Sequence, residues 1–136
     1  MKNLLSKRTL NKYSRQIILK DVGIIGQKKI FKSKILVVGA GGLGSPVIDL
    51  LVRAGVGFLG VIEDDKVDYS NLHRQTLYDY NDVGKYKSDV IKKKIKLIND
   101  KIKLKNFKER ANDKNLGKIL PKFDIIVDGT DNFPTK

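Results

Sequence analysis

Cysteine is absent from the 136 residues of this chain. This absence excludes disulfide bonds, a cysteine nucleophile and a thiolate zinc site in this chain. Tryptophan is also absent, and no apolar run approaches the roughly 20 residues that a membrane helix requires. Residues 1–11 carry charges and lack the apolar core of a secretion signal. The sequence therefore predicts a cytoplasmic protein without membrane contact.

The chain is strongly basic, with 28 lysines and arginines against 15 acidic residues and a net charge of +13. A positive charge of this size makes nucleic acid one class of partner to consider. Only five of the basic residues are arginines, however, and the lysines are spread along the chain. We therefore predict no dedicated nucleic-acid surface, and we expect the charge to steer encounters with an acidic protein partner.

Short apolar runs alternate with helical patterns, and the length fits one domain of roughly 100–200 residues. The predicted strands are 35–38, 58–62, 102–105 and 125–127, and the predicted helices between them are 45–54, 86–100 and 113–120. This order predicts an α/β fold with a mostly parallel, Rossmann-like sheet and flanking helices.

Details of the pattern add four further expectations. The continuous apolar run 35–38 predicts a strand buried on both faces, and the run 125–127 predicts a further buried strand. Lysines alternate with apolar residues in 102–105, which is typical of an edge strand. Residues 66–84 lack periodicity and predict a long loop. Residues 1–33 predict an N-terminal helical extension, broken at Gly23 and Gly26.

A glycine-rich turn follows the first predicted strand and precedes a helix. Residues 39–44 fit the pattern G-x-G-x-x-G, whose glycines let backbone N–H groups approach a phosphate at a helix N-terminus. Glu63 ends the second strand about 20 residues later, where a carboxylate accepts hydrogen bonds from a ribose. These features predict a binding site for an adenine nucleotide. They do not distinguish NAD from ATP. A glycine turn that binds no ligand remains an alternative.

Four further motifs accompany the glycine turn. They are YSRQ at 13–16, SNLHRQ at 70–75, VGKYK at 83–87 and DGTDN at 128–132. With these motifs in this order, the sequence resembles the ThiF/MoeB-type adenylating enzymes, relatives of the ubiquitin-activating enzymes, from about residue 13 to the last residue. That family adenylates the C-terminal glycine of a ubiquitin-like protein, typically a sulfur carrier for thiamine or molybdopterin synthesis. The resemblance implies ATP and Mg²⁺ as ligands.

The resemblance also assigns roles to individual residues. Arg74 and Lys87 match the phosphate-binding positions, and Arg15 matches an arginine that relatives supply to the ATP site of a neighbouring subunit. Asp131 matches the carboxylate that holds Mg²⁺, so these four are the predicted catalytic residues. The single histidine, His73, receives no role. The predicted nucleotide-binding residues are Gly39, Gly41, Gly42, Gly44, Glu63, Asp65, Ser70, Asn71, Arg74, Lys87, Asp131 and Asn132.

The main departure from the family pattern is length. Relatives continue well beyond residue 136, so the resemblance implies an incomplete, C-terminally truncated nucleotide-binding domain over 1–136. It also implies a homodimer and an exposed edge or face of the sheet. We expect either a natural gene fragment or one half of a split enzyme, in which a second polypeptide supplies the remaining half. Two alternatives stay open: a catalytically silent nucleotide-binding or dimerisation module, and an NAD-binding enzyme that rests on the glycine motif alone.

Overall fold

A computed structural model describes residues 6–130 and confirms the predicted α/β class. Four parallel strands form one sheet in the order β3-β2-β1-β4. The strands are β1 (Lys34–Val38), β2 (Phe58–Ile62), β3 (Lys103–Phe107) and β4 (Ile125–Asp128), and the helices are α1 (Lys7–Lys12), α2 (Ser14–Ile17), α3 (Gly23–Lys32), α4 (Gly44–Ala54), α5 (Lys87–Ile98) and α6 (Asp113–Ile119).

Strand β1 lies in the middle of the sheet and is buried on both faces, as its apolar run predicts. The larger core includes Val37 of β1, Ile48 of α4 and Ile91 of α5. The smaller core includes Leu36 of β1 and Ile119 of α6. Because side chains alternate along a strand, helices cover the sheet on both sides. Within residues 6–130, no helix combines the length and apolar character needed to cross a membrane.

Helix α4 follows its sequence signals closely. It starts at Gly44, carries Pro46 in its first turn and ends at Gly55, whose φ of 93° is left-handed. Helix α5 starts one residue later than predicted and ends at Ile98. Residues 66–84 form the predicted loop, which contains two short 3₁₀ turns and begins at an isolated β-bridge between Lys66 and Tyr86.

The N-terminal helices dock onto the C-terminal end of α4. The side-chain amides of Gln16 and Gln27 both donate to the carbonyl of Ala54, at 2.8 and 3.0 Å. Gly23 begins α3 with a φ of 57°, which confirms a break there. The predicted break at Gly26 is wrong, because its N–H donates to the carbonyl of Val22 at 2.7 Å and α3 continues through it.

Both edges of the described sheet carry exposed side chains. On β3, Lys103 and Lys105 face solvent, as the alternating pattern predicts. On β4, the prediction of a buried strand is wrong, since Ile125 is 52% and Ile126 41% exposed. Within residues 6–130, β4 pairs with β1 alone, so one of its edges has no neighbouring strand.

Candidate nucleotide site

A cleft of about 880 Å³ opens at the carboxyl ends of the strands. The segments that follow all four strands contribute to its walls, together with the 66–75 loop and the first residue of α5. In open α/β sheets, ligands bind in the crevice at this edge. The residues that line the cleft are Gly39, Gly41, Gly42, Leu43, Ile62, Glu63, Asp64, Asp65, Lys66, Asp68, Asn71, Arg74, Gln75, Lys87, Glu109, Arg110, Ala111, Gly129 and Thr130.

The glycine turn is packed backbone to backbone. Gly39 has a left-handed φ of 86°, which glycine adopts without strain. A Cβ atom on Gly44 would lie 1.7 Å from the carbonyl oxygen of Gly39, and one on Gly129 would lie 2.8 Å from the same oxygen. Gly44 therefore lies beneath the turn rather than in the cleft wall. The close approach of these backbones leaves no space for side chains behind the turn.

Glu63 ties the glycine turn to the end of β2. Its Oε1 accepts the N–H of Ala40 at 3.0 Å, while its Oε2 accepts the N–H groups of Asp64 and Asp65 at 3.1 and 3.5 Å. A carboxylate offers about four lone-pair sites. The three N–H groups occupy most of them, which leaves about one site for a ribose hydroxyl.

Lys87 supplies a buried positive charge to the cleft. Its Nζ lies 3.8 Å from Oε1 of Glu63, and the residue is only 4% exposed. Its backbone N–H donates to the carbonyl of Asp65 at 2.9 Å, which fixes the start of α5 against the end of β2. Both the ammonium group and the helix N-terminus favour an anion at this position.

Tyr78 supports the glycine turn from below, although the sequence analysis gave it no role. Its hydroxyl donates to the carbonyl of Ala40 at 2.6 Å. Burial raises the pKa of Tyr78 far above its ordinary value, and the negative charges of Glu63 and Asp65 add to this effect. The phenol therefore remains a hydrogen-bond donor throughout the accessible pH range.

The replacement Tyr78→Phe tests this support. We expect the free energy of unfolding to fall by about 1 kcal/mol, because the buried carbonyl of Ala40 loses its donor. Tyr80→Phe is the matched control, since Tyr80 is 70% exposed and its hydroxyl contacts only that of Tyr69 among the described side chains. Urea denaturation measures both changes. Equal losses in the two variants would show that the bond from Tyr78 is not structural.

The loop after β2 positions Asn71 and Arg74. Oδ1 of Asp68 accepts the backbone N–H and the hydroxyl of Ser70 at 2.9 and 2.6 Å, and Oδ1 of Asn71 accepts the N–H of Asp68. The bonds from Ser70, with a smaller contribution from the charge of Lys87, lower the pKa of Asp68. The guanidinium group of Arg74 donates to the carbonyl of Ser70 at 3.1 Å. A negative Asp68 therefore caps the turn that carries both residues.

The cleft brings together many, but not all, of the predicted site residues. Ser70 does not line it, because its hydroxyl bonds to Asp68. Arg15 lies in α2. The next residue, Gln16, contacts the C-terminal end of α4, which is the end away from the glycine turn. Asp131 and Asn132 lie outside the described residues. The predicted nucleotide-binding residues in the cleft wall are Gly39, Gly41, Gly42, Glu63, Asp65, Asn71, Arg74 and Lys87.

The cleft also contains residues that the sequence analysis did not select. Arg110 follows β3 and adds a cation, and Thr130 follows β4. Gln75 is 4% exposed, and its Oε1 has no hydrogen-bond partner within residues 6–130. The signal for all three was position, since Arg110 follows a strand and Gln75 and Thr130 lie within the quoted motifs at 70–75 and 128–132. His73 is exposed and contacts the carbonyl of Ser70 through Nδ1 at 2.9 Å.

One group of carboxylates within residues 6–130 has the spacing of a cation site. The carboxylate oxygens of Glu63, Asp64 and Asp65 lie within 4.8 Å of one another. Oxygen ligands of this kind suit Mg²⁺. Since both Glu63 oxygens already accept N–H groups, the exposed carboxylates of Asp64 and Asp65 are the more available ligands.

Comparison with known proteins identifies the family. Residues 13–136 match the ThiF family. The chain belongs to this family. It is 45% identical over 131 residues to the sulfur carrier protein adenylyltransferase of Thermus thermophilus, covering 96% of this chain and 48% of that enzyme. It is 43% identical over 132 residues to the probable molybdopterin-synthase adenylyltransferase of Gracilaria tenuistipitata, covering 97% of this chain and 37% of that protein.

A solved structure is also similar to this chain. The crystal structure of Escherichia coli MccB with ATP superimposes with a TM-score of 0.78 at 30% identity, over 90% of this chain and 38% of MccB. The ThiF-family chain thus spans about half or less of the length of the relatives it matches.

Proposed function

We propose that this chain is the ATP-binding part of a cytoplasmic adenylyltransferase. Its substrate would be the C-terminal glycine of a ubiquitin-like sulfur-carrier protein of the thiamine or molybdopterin type. The convergence of the glycine turn, Arg74 and Lys87 in one cleft carries this proposal. The names of the Thermus thermophilus and Gracilaria tenuistipitata relatives support the choice of reaction.

The chemistry of adenylation explains why cations are needed here. The carrier carboxylate attacks the α-phosphorus of ATP, an acyl–phosphate bond forms, and pyrophosphate leaves with the electron pair of the broken P–O bond. Two anions must meet, and negative charge builds on the leaving group. Arg74 and Lys87 would offset that charge. The carrier carboxylate is already ionised at neutral pH, so the reaction needs no general base.

The residues present are suited to ATP with Mg²⁺. Gly39, Gly41 and Gly42 bring backbone to the cleft wall without side chains, and Glu63 retains about one acceptor site for the ribose. Mg²⁺ would offset part of the triphosphate charge when bound. Asp131, by its match to the family, and the exposed carboxylates of Asp64 and Asp65 would hold it.

Arg15 is proposed to act in a second copy of the chain. Its helix α2 lies against the C-terminal end of α4, whereas the glycine turn lies at the N-terminal end. Eleven helical residues span about 16 Å. Arg15 matches an arginine that relatives supply to the ATP site of a neighbouring subunit, and this separation agrees with such a role, so the proposal includes a homodimer. A second polypeptide is proposed to supply the remaining half of the enzyme.

Exchange of labelled pyrophosphate into ATP tests the proposed reaction. We expect exchange when the chain, ATP, Mg²⁺ and a sulfur-carrier protein are mixed, and none with a carrier that lacks its terminal glycine. ATP binding without exchange, even after addition of the C-terminal half of a relative, would favour the silent binding module. Tighter binding of NAD than of ATP would contradict the proposal altogether.

Complementation between two variants tests the role of Arg15. Arg15→Ala is expected to lower exchange about tenfold, since a charged contact to phosphate is lost. An equimolar mixture with Lys87→Met is expected to recover about a quarter of normal exchange, because half of the dimers then contain one intact site. Full exchange by Arg15→Ala alone, or no recovery in the mixture, would exclude action in trans.

A further inference from the structure

A second concave surface, of about 580 Å³, shares no lining residue with the nucleotide cleft. It extends from the starts of β1 and β2 along one face of β3. We call it the Lys-Phe groove, because nine of its ten lining residues are lysine or phenylalanine. Its lining consists of Phe31, Lys32, Lys34, Gly57, Phe58, Lys103, Lys105, Phe107, Lys122 and Phe123.

Aromatic rings form the floor of the groove. The ring of Phe123 lies 5.6 Å from that of Phe58 and 6.4 Å from that of Phe107, measured between centroids. Gly60 of β2 makes room for Phe123, since a Cβ atom there would lie 2.3 Å from Cζ of that ring. Each of the three rings remains half-buried rather than fully covered. The floor therefore offers accessible apolar surface.

Lysines surround this floor without matching acids. All five lysines of the groove are exposed, and no acidic residue belongs to its lining. None of the five pairs with a carboxylate within residues 6–130, whereas Lys87, Lys94 and Lys108 elsewhere do. The carboxylate of nearby Asp124 accepts the backbone N–H of Lys34. The groove thus combines an apolar floor with uncompensated positive charge.

We propose that the Lys-Phe groove docks an acidic segment of a protein partner, with one apolar side chain of that segment on the ring cluster. Complementary charge steers and orients such a segment, while burial of an apolar anchor supplies affinity. A protein segment fits better than nucleic acid for two reasons. The rings of Phe58 and Phe107 pack onto Phe123 at 42° and 73°, rather than forming parallel stacking platforms. In addition, no arginine lines the groove.

Binding of a defined probe tests the proposal with the full chain. The probe is a short fluorescent peptide of aspartate and glutamate residues around one phenylalanine, followed by anisotropy at low salt. We expect saturable binding that weakens as salt screens the charges. The double variant Lys103→Glu/Lys105→Glu is expected to weaken binding at least about tenfold. A peptide with serine in place of its phenylalanine should bind less tightly as well.

The matched control is Lys92→Glu/Lys93→Glu, which makes the same change in net charge on the exposed face of α5. It should alter peptide binding by less than about twofold. Both double variants should retain their thermal unfolding midpoint and their affinity for ATP, because all four lysines are exposed and outside the cleft. Equal weakening by the two variants would overturn the proposal. So would tighter binding of a single-stranded oligonucleotide that Lys103→Glu/Lys105→Glu abolishes.

Discussion

Replacing Lys87 with methionine is expected to lower the affinity of the chain for ATP about a hundredfold. This factor corresponds to about 2.7 kcal/mol, within the range for a hydrogen bond to a charged group. Lys87 is the buried cation of the cleft, and its only described carboxylate partner is Glu63. Without the ammonium group, the carboxylate of Glu63 would face the triphosphate and repel it. Isothermal titration with ATP and Mg²⁺ measures the change.

Two further variants show whether charge at this position is responsible. Lys85→Met removes an exposed lysine two residues earlier and should leave the affinity for ATP unchanged. Lys87→Arg keeps a positive charge at this position and should lose less affinity than Lys87→Met, because a guanidinium group also donates charge-assisted hydrogen bonds to phosphate. Lys87→Met leaves the buried carboxylate of Glu63 without its cation, which destabilises a protein, so circular dichroism must show that the variant is folded before its ATP affinity is measured. Equal losses of ATP affinity in Lys85→Met and Lys87→Met would contradict a specific role for Lys87 in ATP binding.

The parallel sheet and the position of the cleft were predictable because their signals are local. The apolar run 35–38, the glycine turn and Pro46 in the next helix each specify one strand, one turn and one helix start. Parallel strands place their carboxyl ends at one edge, so the residues after each strand meet there. Eight of the twelve predicted nucleotide-binding residues line that cleft. Of the other four, Gly44 lies beneath the turn and Ser70 bonds to Asp68. Asp131 and Asn132 lie outside the described residues.

The features that were missed depend on contacts between residues distant in sequence, or on a nearby side chain that takes the hydrogen bond expected for the ligand. Tyr78 lies in an aperiodic loop, and only the folded chain shows that its hydroxyl reaches Ala40. Ser70 fits a binding motif, but Asp68 two residues earlier takes its hydroxyl. Gly26 was expected to end a helix, although an interior glycine costs only about 1 kcal/mol and docking of α3 can offset it. The exposure of β4 depends on what lies beside it, which its apolar sequence does not encode.

The second large effect is expected at Gly44. Gly44→Ala should lower the free energy of unfolding by about 3 kcal/mol, since overpacking a tight site costs about 1–3 kcal/mol and here the contact is with backbone. The new Cβ atom would lie 1.7 Å from the carbonyl oxygen of Gly39 and 2.8 Å from its carbon. Neither atom can rotate away as a side chain would. The glycine turn must therefore move, and affinity for ATP should be lost with it.

Gly117→Ala is the matched control for this change. Gly117 lies within α6, and a Cβ atom there would meet nothing within 4 Å. This substitution should raise the free energy of unfolding by about 0.5–1 kcal/mol, because it restricts the unfolded chain without strain in the folded one. Urea denaturation and ATP titration of both variants separate the two effects. A Gly44→Ala chain with normal stability would show that the turn does not pack against α4 as described.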